Sequence, residues 1–83
     1  MTELYSGPAE AIYFNYEGQV CLCERSQSIT IEQLPNGTLT VLGFPGLPHP
    51  HAHRAEIRPD IGLPVAGRVT SWMHPRLPIF ALE

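Results

Sequence analysis

Seven of the chain's nine prolines fall between Pro45 and Pro78. Each removes a backbone donor and fixes φ, so a helix interior or a central strand tolerates it poorly. This half therefore cannot supply a long helix or long central strands. Its spacing predicts short edge strands at residues 51–57 and 65–72 and a last short strand at 79–82. Extended loops at 45–50 and 58–64 join them, so that residues 45–64 read as a proline-rich loop region.

The first half carries the stronger pairing signals. Residues 1–9, with Gly7-Pro8, read as a flexible N-terminal arm. Residues 11–16 are aromatic and β-branched and fit a strand. Glu17-Gly18 is a hairpin turn signal, because glycine supplies the positive φ of a tight turn. Residues 19–24 return as a second strand with Val20 and Leu22 on one face and Cys21 and Cys23 on the other. Ile12, Phe14 and Tyr16 share a face in the first. Residues 28–34 alternate apolar and polar at period two. A short helix at 31–34 competes with that strand, but the β-branched residues weaken it. Pro35-Asn36-Gly37 is the strongest turn signal, and residues 38–44 form the partner strand. Glu3, Glu10, Glu17 and Glu24 lie seven apart, but the glycine and strand signals between them exclude a coiled coil. The expected fold is mainly β: one domain over residues 1–83, a small antiparallel sheet or partly open β-barrel of about five to seven short strands, with little helix.

A chain of 83 residues buries only about 60–65% of its unfolded surface, so its core is marginal. Its 43% hydrophobic content suits a globular domain rather than a disordered chain. No apolar run approaches the roughly 18 residues of a membrane span, and Met1 to Tyr5 lack a signal-peptide pattern. The expected compartment is the cytoplasm. Cys21 and Cys23, at the limit of disulfide geometry on one strand face, are expected as free thiols. Leu82-Glu83 also fits a vector-derived tail and is given no functional weight.

The charge is uneven. The net charge is −3, and all five cations are arginines. Residues 1–47 carry five glutamates against Arg25, whereas residues 48–83 carry Arg54, Arg58, Arg68 and Arg76 against Glu56, Asp60 and Glu83. That footprint is too sparse for a general nucleic-acid binder, which displaces counterions with clustered cations. The acidic first half suits approach to a basic protein surface.

The densest chemistry is His49-Pro50-His51-Ala52-His53. Alternate side chains of an extended segment share a face, and three imidazoles suit zinc, nickel or iron with a coordination position left open. Glu56 adds a candidate carboxylate ligand. The pattern Gly43, His49, His51, Glu56, Gly62 resembles the first motif of the cupin family. Two histidines and a glutamate there hold a metal inside a β-barrel, and on that resemblance His49, His51 and Glu56 would be ligands. The resemblance spans 20 residues. Its last interval is one residue short, and His74 does not follow a Pro-x-Gly turn as the second motif would require. The plainer reading of the same histidines is a solvated loop. A third is a pH-sensitive contact, since histidine titrates near neutrality.

No nucleophile with a base partner and no phosphate-cradling glycine loop occurs. The aromatic residues point instead to recognition, because Trp and Tyr are favoured anchors of interfaces. Trp72 lies between Arg68 and Arg76, and Tyr13 and Tyr16 lie in the first strand. The favoured expectation is a small non-enzymatic domain that binds another protein through Trp72, Arg68, Arg76, Tyr13 and Tyr16. It would act as an inhibitor or accessory protein, including one of phage or mobile-element type, and its edge strands would allow a homodimer. The alternative is a small cupin-like protein holding a divalent metal at His49, His51, His53 and Glu56.

Overall fold

The computed structural model describes residues 2–44, 52–74 and 77–83, with backbone alone for 71–74 and 77–80. Six strands follow one another: β1 (Thr2–Phe14), β2 (Val20–Gln33), β3 (Leu39–Leu42), β4 (Arg54–Pro59), β5 (Val65–His74) and β6 (Leu77–Leu82). All pairings are antiparallel, and the order β1-β2-β3-β6-β5-β4 closes on itself as a barrel. Among the described residues there is no helix, and hence none long and apolar enough to cross a membrane.

Both expected turns form. Gly18 has φ +80° and Gly37 φ +90°, the conformations that a side chain resists. The N-terminal arm does not stay loose. Residues from Thr2 onward extend β1 by pairing with the far half of β2, Thr2 opposite Gln33. The two strands expected at 19–24 and 28–34 are one continuous β2. They read as two because a bulge divides them: Gly7 faces Ile29 while Ala9 faces Ser26, two residues against three. The extra residue swaps the inward face. Leu22 packs inward before the bulge, and Ile29 and Ile31 after it. Ser26 steadies the kink, its hydroxyl donating to the Gly43 carbonyl at 3.0 Å.

The proline-rich half also departs from expectation. Residues 51–57 and 65–72 were expected as edges, yet β4 has β1 and β5 as neighbours and β5 has β4 and β6. The described prolines of this half sit where a missing donor does little harm. Pro59 ends β4, Pro64 precedes β5, and Pro78 lies beside the register shift between Trp72 and His74, before β3 pairing begins at Ile79. Closure leaves few strand edges for self-pairing, so the expected route to a homodimer through edge strands is narrowed to partial overhangs. One is Thr2 to Gly7 of β1, because β4 pairs β1 only from Ala9 onward. Its bulges and Pro8 are features that discourage edge pairing.

Ala9, Ala11, Tyr13, Ile29, Ile31, Val41, Phe44, Ala55, Ile57 and Leu82 form the core. β1 turns its smaller face inward: Ala9 and Ala11 leave room in a narrow barrel for the Tyr13 ring. Leu82 is fully buried opposite Leu39 and Val69, and the Glu83 backbone exchanges hydrogen bonds with that of Arg68. These two residues are structural parts of the barrel rather than an inert tail.

Candidate functional site

The β1–β2 hairpin end offers the most developed surface. Asn15 organises its turn: the side-chain oxygen accepts from the backbone N–H groups of Glu17 (3.0 Å) and Gln19 (2.9 Å). The Asn15 N–H donates to the Gln19 carbonyl, and Gly18 N–H to that of Asn15. This local closure holds Tyr16 at the tip, 81% exposed. Its ring stacks on His53 with centroids 4.2 Å apart and planes inclined by 22°. His53 is itself fixed on both sides. Its N–H donates to the Phe14 carbonyl, and its carbonyl accepts from Val69 N–H, each at 2.8 Å.

Directly opposed residues of neighbouring strands project to the same face. A row therefore crosses the outside of the barrel: Val20 on β2 opposite Phe14 on β1, Phe14 opposite Arg54 on β4, and Arg54 opposite Arg68 on β5. Val20 is 57% exposed, Phe14 is half-buried, and both arginines are exposed. Below it run Cys23, Ile12, Glu56 and Ala66, then Arg25, Glu10 and Arg58. In this lower part charges are matched. Arg25 meets Asp60 at 2.6 Å and Arg58 meets Glu56 at 2.9 Å. The Asp60 hydrogen bond and charge raise the Arg25 pKa above its ordinary value.

Of the residues expected to bind a partner, Tyr16 and Arg68 are on or beside this face. Tyr13 is not. It is buried, because its odd position in β1 shares the inward register of Ala9 and Ala11, and its hydroxyl donates to Glu24 at 2.8 Å. Arg76 and the Trp72 side chain lie outside the described residues. Sequence reasoning missed Val20 and Arg54. Arg54 was readable from the alternation of Arg54, Glu56 and Arg58 with Ala55 and Ile57, whose burial marks the other face as the core. Val20 was not, since a bulge between Tyr13 and Phe14 intervenes.

The expected metal ligands are only partly in view. His49 and His51 lie outside the described residues. His53 lies against Tyr16, whereas Glu56 belongs to the outward register of β4 and accepts two hydrogen bonds from Arg58. Among the described residues no three His, Cys, Asp or Glu side chains converge. Cys21 and Cys23 form no disulfide, as expected. With Glu56 committed to Arg58, Glu56→Gln is expected to leave the metal content of the purified protein unchanged by elemental analysis. A loss of bound zinc, nickel or iron in that variant would return Glu56 to the ligand set.

Set against family models, curated proteins and solved structures, the chain matches none of them. The cupin resemblance therefore rests on residues 43–62 alone.

Two shallow hollows flank the β2–β3 turn, of about 340 and 350 Å³. Thr2, Gln33, Leu34, Pro35 and Gly37 line one, and Asn36, Gly37, Thr38 and Glu83 the other. Among the described residues Glu83 is their single titratable side chain.

Proposed function

We propose that this protein is a small non-enzymatic binding domain that docks another protein on the outward face near the β1–β2 hairpin. An inhibitor or accessory protein acts in this way, occupying a partner surface without chemistry of its own. The observation that carries this reading is the placement of Tyr16. It is the most exposed aromatic side chain among the described residues, yet it is held by the Asn15 turn and the His53 stack. A pre-ordered aromatic ring loses little conformational freedom on binding, which favours it as an anchor. Val20 and Phe14 extend the apolar contact, and Arg54 and Arg68 border it. A standard interface takes about 800 Å² from each partner, an area this small barrel can offer on one side.

The test compares capture by wild type and by a Tyr16→Ala, Val20→Ser variant from the source cell's extract, followed by affinity measurement on the captured protein. Both substitutions are on the surface and should change stability by less than about 0.5 kcal/mol each. If Tyr16 is an anchor, affinity drops by roughly thirtyfold or more, which corresponds to about 2 kcal/mol. An unchanged partner bound with unchanged affinity would remove this face from the proposal.

A further inference from the structure

We propose that the surface received by this face is an acidic, partly apolar segment of a protein, with Arg54 and Arg68 taking its carboxylates. The inference rests on the docking face described above and names its chemistry.

Four arginines are described, and they are not equivalent. Arg25 holds Asp60, Arg58 holds Glu56, and Arg68 holds Glu83 at 3.2 Å. Arg54 has no ion pair among the described residues. It also stands directly opposite Arg68 across the β4–β5 ladder, so two like charges occupy adjacent places on one exposed face. Such a pair is unfavourable by itself and becomes favourable when an anion lies between or beside the two guanidinium groups. The chain already shows what this surface accepts. The Glu83 carboxylate rests on Arg68, both side chains remaining more than half exposed, while the neighbouring place on Arg54 is open.

The apolar part of the occupant follows from the same row. Phe14 is opposite Arg54, and Val20 opposite Phe14, with Tyr16 at the hairpin tip. A carboxylate on Arg54 thus brings its chain neighbours onto Phe14 and Val20. An extended peptide with acidic and apolar residues in alternation meets both requirements. A nucleic acid fits less well, because a phosphate backbone calls for a long succession of available cations, whereas Arg25 and Arg58 are held by Asp60 and Glu56 and only the adjacent Arg54 and Arg68 face this row. Glu3 and Glu32, opposed at the far end of β1 and β2, repel an acidic partner from that end of the barrel.

The probe is a short labelled peptide alternating Glu with Leu and Phe. A second peptide has Lys in place of Glu, and a third probe is a single-stranded DNA of similar length. Binding is read by fluorescence anisotropy at low and high salt. The acidic peptide is expected to bind in preference to the other two and to weaken as salt rises. Arg54→Glu should weaken it by about tenfold or more, since hydrogen bonds to charged groups contribute that much. Arg54→Lys should recover part of the affinity, because lysine restores charge without the bidentate fork. Thermal melts of both variants check that the barrel is intact. Equal binding of the acidic and basic peptides, stronger binding of DNA, or an Arg54→Glu protein with wild-type affinity would each overturn the inference. Loss of the natural partner in the Tyr16 and Val20 variant but not in Arg54→Glu would retain the docking face and reject the acidic partner. Retention in both would reject the two together.

Discussion

Gly43→Ala is expected to remove a large part of the protein's stability, about 3 kcal/mol or more. An 83-residue domain has roughly 4–12 kcal/mol in total, so this loss unfolds a large fraction of molecules on mild heating. Two causes combine. Gly43 has φ +117°, where an L side chain is strained. A methyl group there would also lie 2.5 Å from the Ser28 carbonyl oxygen and 3.0 Å from the Ile29 Cα. Both obstacles are backbone, and they belong to the bulge that swaps the inward face of β2, so neither can swing aside. Gly18→Ala separates the causes. Its φ is +80° and its Cβ would meet nothing within 4 Å, so only the conformational cost of about 1–2 kcal/mol applies. Urea unfolding of the two variants measures the difference. Equal losses would show that crowding at the bulge contributes nothing.

Tyr13→Ala is expected to be comparably damaging, about 3–5 kcal/mol, through the cavity left by one of the largest fully buried side chains. Tyr13→Phe keeps the ring and loses the hydrogen bond to Glu24, at a cost of about 1.5 kcal/mol. The two tyrosine variants also differ from wild type in alkali. Burial, reinforced by the hydrogen bond and charge of Glu24, pushes the Tyr13 phenol well above its ordinary pKa. In the unfolded chain it ionises near pH 10. Above that pH the unfolded state binds fewer protons than the native state, so stability falls as pH rises. The contribution is complete below about pH 10 and declines beyond it. Tyr13→Phe should flatten this decline in urea titrations at alkaline pH. An unaltered slope would place the alkaline sensitivity elsewhere.

These two residues show where sequence reasoning stops. The turns at Gly18 and Gly37 were legible because a glycine between alternating runs has a local cause. The last strand was legible from its apolar run. The inward choice of Ala9, Ala11 and Tyr13 over Ile12 and Phe14 was not, because bulk alone favours the opposite face. The decision comes from the narrow interior, which exists only once β1 meets β4. The bulge at residues 26–28 was equally hidden: its serines resemble a linker until Gly43 packs against them. At the candidate site, Tyr16 stood out by residue type, whereas Val20 and Arg54 became visible through cross-strand register. The pairing of β3 with β6 joins residues about forty apart, and no local pattern announces such a meeting.

The position of β6 sets a timetable for the newborn chain. It lies between β3 and β5, so the barrel cannot close until this one strand has paired on both sides. Until Leu77–Leu82 docks, the folding chain carries two open flanks, on Leu39–Leu42 and on the later part of Val65–His74. Closure is then a late, long-distance event, and topologies of this kind condense in milliseconds to seconds rather than microseconds. During that interval neighbouring nascent chains on one message are the nearest alternative partners for those flanks. Widely spaced initiation, or a holdase during synthesis, should therefore raise the yield of correctly closed barrels.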